Sequence, residues 1–400
     1  MKAGVFFENF GPYHVARLNA ASERIQVLGL EWRGRSQTYA WEPFAFGVHF
    51  EKRTLLGRDD KCFSNDNLLR CLEKEMAPLS LNAVVVNGWG DFGSLAVISW
   101  ALKYQIPIII MSESTAWDEP RKPVKEWIKR QVVGLGSAAL AGGTPHRDYL
   151  IQLGMPPENI FMGYDAVDND YFAKNAAVVR SQKSEVRRKQ GLPEKYFLAS
   201  ARFVEKKNLP RLIEAYAVYR KSAEFEYAKT EIWDLVLLGD GALRKELEAR
   251  SLELGVSQWI HMPGFRQYPD LPDYYGCAQA FIHPSTTEQW GLVVNEAMAS
   301  GLPVLVSNRC GCAPDLVAEG VNGFTFDPFN VQQIAGMMLK VSEPYFPLAA
   351  FGEASQHIIA DWGPKRFADE LFAATETAIK VGPRRASLLQ RLILRGLMLR

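Results

Sequence analysis

Residues 284–307 read PSTTEQWGLVVNEAMASGLPVLVS, and they set the fold class. Just before them, Ala280, Phe281 and Ile282 make a short apolar run, and Pro303, Val304, Leu305 and Val306 make another. Unbroken apolar runs of this length predict strands of a parallel sheet covered on both faces. Between them, 292–300 predicts a crossover helix opening near Gly291. Two glutamates, Glu288 and Glu296, stand eight positions apart on either side of that glycine. Glu288 then falls on a loop at a strand's carboxyl end, where open α/β sheets hold ligands.

The same alternation runs outward in both directions. Toward the N-terminus, strands are expected at 3–7, 81–87, 106–111, 138–141 and 160–162, with helices at 15–22, 65–76, 95–104, 124–135 and 146–153. The pattern restarts with strands at 196–201, 235–238, 259–262, 280–283, 304–307 and 323–326, interleaved with helices up to 331–341. A polar stretch, KNAAVVRSQKSEVRRKQGLP at 174–193, predicts the domain boundary. The expected architecture is α/β: two Rossmann-like parallel-sheet domains facing a central cleft, 1–175 and 190–362. A helix over 364–380 opens on Pro364, a good first helical residue, and is expected to return to the N-terminal domain.

Composition narrows the function classes. Forty-six basic against 45 acidic residues leave a formal charge of +1, which argues against a nucleic-acid binder. Five cysteines, Cys62, Cys71, Cys277, Cys310 and Cys312, form a sparse, odd set and point to a reducing compartment. Cys310 and Cys312 invite a metal reading, but no second Cys or His cluster accompanies them, so ordinary loop thiols are preferred. With no signal peptide and no run of eighteen apolar residues, a cytoplasmic location is expected, peripheral to the inner face of a membrane if the tail described below binds one.

The helix opening near Gly291 offers free N–H groups and a positive dipole end, a site for phosphate. Helical side chains tilt toward the N-terminus, so Glu296 can lean toward the same ligand. Two carboxylates would repel a phosphate, whereas a nucleotide sugar carries hydroxyls on both sides of its phosphates, and a carboxylate can accept from neighbouring hydroxyls. Upstream, SARFVEKKN at 200–208 follows a strand and carries Arg202 and Lys207. Cations there would stabilise a departing diphosphate; alternatively the segment is a solvated basic turn. Gly239, Asp240 and Gly241 end another strand and could admit a phosphate or sugar, or simply turn the chain.

In order, Arg202 with Lys207, Gly239-Asp240-Gly241, Gly264-Phe265, Pro284-Ser285, Glu288 with Glu296, and the turn EGVNGF at 319–324 resemble the retaining glycosyltransferase family 4 of GT-B fold, over about 197–328. The resemblance implies roles. Glu288 would hold donor-sugar hydroxyls and Glu296 the ribose, while backbone N–H groups of Gly291, Leu292 and Val293 would meet phosphate or sugar. Arg202 and Lys207 would neutralise the diphosphate, and Gly264, Phe265 and Arg266 would meet the base. It further implies domain closure that excludes water, and attack of the acceptor hydroxyl on the face the diphosphate leaves. No cofactor and no metal are expected, because side chains and the helix dipole supply the positive charge.

The N-terminal half matches less well. Gly11 alone stands where the family has a glycine-rich loop. His14 either points into the cleft or only caps its helix. Where the family carries a histidine, this chain has Ser112, Glu113 and Ser114, and Glu113 is the candidate replacement on the acceptor side. Trp89, in a loop at 87–91, either stacks on an acceptor sugar or packs inward. The tail at 382–400 contains RRASLLQRLILRGLMLR over 384–400, with five arginines and no acid. As a helix it suits an anionic membrane surface, or else packs its apolar face back on the protein.

The expected activity is hexosyl transfer from a nucleotide-diphospho-sugar to a sugar, lipid-linked or small-molecule acceptor, in polysaccharide or glycolipid biosynthesis. The alternatives are a sugar-nucleotide epimerase of the same fold, or a non-catalytic partner subunit that keeps the nucleotide site. A paired-carboxylate glycosidase is disfavoured, because one glutamate sits on the helix that should face phosphates.

Overall fold

The apolar runs become strands of two separate parallel sheets, seen in a computed structural model that describes residues 1–32, 47–55, 65–76, 79–226 and 232–399. The chain divides into two units, Met1–Asp168 with Trp362–Arg400, and Asn169–Asp361.

In the first unit the order is β1 (Lys2–Phe7), α1 (Pro12–Ser22), β2 (Gln26–Glu31), β3 (Glu51–Thr54), α2 (Asn65–Met76), β4 (Ala83–Asn87), α3 (Phe92–Tyr104), β5 (Ile108–Ser112), α4 (Pro123–Val133), β6 (Ala138–Ala141), α5 (Thr144–Gln152) and β7 (Ile160–Met162). The sheet runs β3-β2-β1-β4-β5-β6-β7. The sequence reading missed two of these strands. β2 is buried at five of its six residues and carries an ordinary apolar signal. β3, EKRT, carries none, because an edge strand exposes most of its side chains; its Glu51 pairs with Lys2 at 3.3 Å and Arg53 at 2.7 Å.

The second unit contains α6 (Asn169–Ser181), α7 (Lys183–Gln190), β8 (Tyr196–Ser200), α8 (Leu209–Glu226), β9 (Asp234–Leu238), α9 (Arg244–Glu253), β10 (Ile260–Gly264), α10 (Leu271–Cys277), β11 (Ala280–His283), α11 (Leu292–Ala299), β12 (Val304–Ser307), α12 (Ala313–Leu316), β13 (Gly323–Phe326), α13 (Val331–Ser342) and α14 (Leu348–Ala360). Its sheet runs β10-β9-β8-β11-β12-β13. Phe197, Leu235, Leu237, Ile282 and Leu305 on one sheet face pack with Leu212, Ile213 and Tyr216 of α8 and Ile334 and Met338 of α13. The polar stretch at 174–193 is helical, and the units divide ahead of it, at Asp168. Phe172, Ala176 and Val179 supply a buried stripe that seats α6 in the second unit. That thin stripe is masked in the sequence by the charges around it.

Beyond Asp361 the chain returns to the first unit as α15 (Pro364–Val381) and α16 (Leu388–Met398). Phe367, Leu371, Ala374 and Ala378 of α15 join the core under α1, and Arg24 Nε donates to Asp369 Oδ1 at 2.8 Å. None of the described helices is long and apolar enough to cross a membrane.

Each sheet contains one switch point, between β8 and β11 and between β1 and β4, where the chain leaves in opposite directions. Loops at the carboxyl ends of such neighbouring strands diverge and leave a crevice.

Candidate active site

At the switch point of the second unit, the loop after β8 meets the loop after β11. Asn208, in the left-handed conformation at φ 57°, clamps them together. Its Nδ2 donates to Pro284 O at 3.0 Å and Pro328 O at 2.8 Å, and Thr286 N donates to Lys206 O at 2.9 Å. On its other side the Glu288 loop is laced to the segment after β12: Glu288 N donates to Arg309 O at 3.3 Å and Gly311 N to Glu288 O at 3.1 Å. Backbone bonds of this kind hold Glu288 and Lys207 in one place although they lie far apart in sequence.

Glu288 is buried, and its carboxylate lies in a cage of donors. Lys207 Nζ bonds Glu288 Oε2, and Lys206 Nζ stands 3.5 Å from Oε1. Ser285 Oγ donates to Oε2 at 3.3 Å, while His283 Nε2 lies 3.4 Å from Oε2 and 3.2 Å from Ser285 Oγ. Burial pushes the Glu288 pKa up, but the Lys207 charge, the His283 hydrogen bond and the Lys206 charge outweigh it and hold the carboxyl well below its usual range. Burial lowers the His283 pKa, against the hydrogen bond with Glu288. A neutral imidazole therefore turns its Nε2 to Glu288 Oε2 and Ser285 Oγ. Lys206 and His283 were not identified from the sequence; a polar residue ending the buried run Ala280-Phe281-Ile282 was the available signal for His283.

Gly291 precedes α11 with φ +111°, a conformation that favours glycine, and a side chain there would stand 3.6 Å from Glu288 Cγ. The helix therefore opens beside the Glu288 carboxylate. Its first N–H groups, at Leu292 and Val293, lie on a half-buried turn and have no preceding helical carbonyl to bond. Glu296 lies one turn further in. It is 1% exposed, and its carboxylate accepts from Tyr275 OH of α10 at 2.5 Å. Burial and then the Glu296 charge push the Tyr275 pKa well up, so the phenol stays a donor. Tyr275 gave no sequence signal, because nothing before folding relates α10 to α11.

Arg202 is exposed on the loop after β8. Gly239 and Gly241 make room for that loop: at φ +139°, a side chain on Gly239 would stand 1.9 Å from Ala201 O, and one on Gly241 2.7 Å from Phe203 O. Phe203 N donates to Asp240 O at 2.8 Å, and Asp240 pairs with Arg244 at 2.9 Å. Gly264, at φ +90°, turns its carbonyl to Gly239 N at 3.2 Å, leaving Phe265 38% exposed. Cys310 and Cys312 are buried free thiols beside this loop system, raised in pKa by burial. Cys62 lies outside the described residues. Among the described residues no group of three or more His, Cys, Asp or Glu could hold a metal ion.

In the first unit, Gly11 caps α1, and its N–H donates to His14 Nδ1 at 3.0 Å. Burial and the nearby Arg17 charge keep the His14 pKa well below its usual value, so the ring is a neutral capping acceptor. Half-buried Trp89 packs against two core clusters. Glu113 lies near buried Asp165, whose pKa is pushed well up by burial and then by the Glu113 charge. Asp165 lies in the loop after β7, behind Gly163 and Tyr164, and carries no motif in the sequence.

Residues 182–357 match the family model described as glycosyl transferases group 1. D-inositol 3-phosphate glycosyltransferase 1 of Catenulispora acidiphila is 25% identical over 63% of this chain and 60% of its own length. The Arabidopsis thaliana sulfoquinovosyl transferase is 33% identical over 38% of this chain and 28% of its own. O-antigen chain mannosyltransferase B of Escherichia coli is 30% identical over 34% and 33%. The chain thus spans 28% to 60% of the length of these curated relatives. Among solved structures, Anabaena HepE in complex with UDP and glucose has a TM-score of 0.70 at 18% identity, covering 93% of this chain and 98% of that one. Sucrose-phosphate synthase from Thermosynechococcus elongatus has a TM-score of 0.70 at 16%, covering 92% and 97%. At such identities the likeness concerns the fold. Over residues 182–357 the chain is similar to the glycosyl transferases group 1 family, and its two Rossmann-like parallel sheets carry the GT-B fold.

Proposed function

We propose that this chain transfers a hexosyl group from a nucleotide-diphospho-sugar to an acceptor hydroxyl, with retention of configuration and without a metal, in polysaccharide or glycolipid biosynthesis. One observation carries the reading: a buried carboxylate, Glu288, is kept ionised by Lys207 and Lys206 at the switch point, beside the opening of α11. A buried charge is costly unless it is paired. A sugar's hydroxyls are suited to such a carboxylate, and a diphosphate is suited to the lysines and the helix end that flank it.

In this reading Glu288 holds donor-sugar hydroxyls, while Lys207, Arg202 and the N–H groups of Gly291, Leu292 and Val293 receive the diphosphate. Glu296, oriented by Tyr275, takes the ribose hydroxyls, and the backbone around Gly264 and Phe265 meets the base. The bond from the anomeric carbon to the diphosphate oxygen breaks as charge builds on that oxygen, which the fixed cations stabilise. The acceptor oxygen bonds the anomeric carbon from the same face, and its proton passes to a donor phosphate oxygen. His14, Trp89 and Glu113 remain candidates for the acceptor side, and a sugar or lipid-linked sugar is the proposed acceptor class.

A thermal-shift panel of UDP, GDP and ADP with their sugars identifies the donor, because a ligand of the folded state raises its stability. With that donor, Glu288→Gln is expected to lower transfer about a hundredfold while leaving nucleoside-diphosphate binding nearly unchanged. Retained turnover would remove Glu288 from this role. An epimerised donor formed without acceptor would favour the isomerase instead.

A further inference from the structure

The tail helix α16 is apolar on two faces, and packing accounts for only one of them. Ser387 caps it, and Gln390 N donates to Ser387 Oγ at 3.2 Å. Buried Leu394, with partly buried Ile393, Leu397 and Met398, packs into the first-unit core against α3 and α4. Gln390 Nε2 donates to Gln131 O of α4 at 3.0 Å. At about 100° per residue these positions share one side of the helix. Leu388, Leu392 and Leu399 fall on the opposite side and are 75%, 56% and 86% exposed. Exposed Arg391 and Arg395 flank that ridge, with exposed Arg385 just before the helix. Across 382–399 there is no acidic residue.

α4, against which α16 packs, has exposed apolar side chains of its own: Val124 is 69% and Trp127 44% exposed, three residues apart on one side of the helix. Arg121 and Lys129 are engaged with Glu119, Glu126 and Tyr149, whereas Lys122 and Arg130 face solvent. Isolated exposed leucines need no explanation, but a leucine ridge edged by arginines and free of acids, on a helix packed against one with an exposed indole, matches an anionic bilayer interface in both polarity and charge.

We propose that this face of α4 and α16 docks on an anionic lipid bilayer, with the leucine ridge and Trp127 entering the interface and the arginines meeting headgroup phosphates. This goes beyond the glycosyl-transfer reading and does not depend on it. Each arginine near such a surface is worth about a fivefold change in partitioning, so removing two should weaken binding roughly twenty-five-fold.

The full chain is sedimented with vesicles of phosphatidylcholine alone and of equal parts phosphatidylcholine and phosphatidylglycerol. Binding is expected to the mixed vesicles only, and to fall with salt. The doubly substituted Arg391→Gln/Arg395→Gln and Leu388→Ser/Leu392→Ser proteins should each bind at least about tenfold more weakly. The altered side chains are exposed, so unchanged unfolding midpoints confirm that the fold survives. No binding to the mixed vesicles, or equal binding to both kinds, overturns the proposal. So does a concentration-dependent dimer of the wild type that the leucine variant abolishes, because the face would then pair two copies of the chain.

Discussion

Replacing Lys207 with methionine keeps most of the side chain's volume and removes its charge. Lys207 and Glu288 are each only 11% exposed at the side chain, so the pair belongs with buried rather than surface ion pairs. Breaking a buried pair from one side costs about 3–5 kcal/mol, because the remaining charge stays desolvated. Here Lys206, His283 and Ser285 remain around the carboxylate, so Lys207→Met is expected to cost nearer 2 kcal/mol. The chain divides into two units, so the reporter should be local: hydrogen exchange of β8 and β11 amides reads the opening of their own sheet. In a double-mutant cycle with Glu288→Gln, the coupling should be about 1.5–3 kcal/mol. The pH dependence supplies the sign. Glu288 titrates below its unfolded value, so its contribution to stability is complete above the ordinary carboxylate pKa and is lost as pH falls through the depressed one. Without Lys207 the folded value rises toward the ordinary one, so the part of the acid loss that Glu288 contributes should shrink and end at higher pH. A coupling under about 0.5 kcal/mol, as for a surface pair, together with superimposable acid limbs, would refute the reasoning.

Other substitutions probe the frame around the pair. Gly239→Ala puts a methyl 1.9 Å from the Ala201 carbonyl oxygen at φ +139°, so backbone must move. A loss of about 3 kcal/mol or more is expected by calorimetry, and an unchanged melting temperature would show that the 201–203 loop yields freely. Tyr275→Phe removes the donor at 2.5 Å from the buried Glu296 carboxylate, with an expected loss of about 1–3 kcal/mol by chemical denaturation. If Glu296 also holds the ribose, calorimetric titration should show weaker nucleotide binding in the same variant; undiminished affinity would separate the two roles.

Much of this architecture was legible in the residue pattern. Parallel strands covered on both faces are continuously apolar, so β1, β5, β11 and β12 announce themselves. β3 does not, because an edge strand gains its place from backbone pairing with β2 rather than from burial of EKRT. α6 was hidden for a related reason: its charged side chains face solvent and dominate the composition over the buried Phe172, Ala176 and Val179. Within the site, Glu288, Lys207 and Gly291 could be found because each sits where a strand gives way to a helix. The glycines at 239 and 241 were legible only as glycines; the atoms they make room for are the chain's own loop at 201–203.

Local pattern therefore settles the alternation of strands and helices, the carboxyl-end loops, and the residue types a sugar and a diphosphate would need. It reaches no further, since each of these signals spans a few consecutive residues. The order β10-β9-β8-β11-β12-β13 is a long-range pairing, and the β8–β11 contact within it brings Lys206 and Lys207 to Glu288, while the packing of the helices and loop on either side of β11 sets His283 and Ser285 by that carboxylate and Tyr275 on Glu296. The charge state of Glu288 follows from the same pairing, since desolvation and attraction are fixed by which groups fold around it.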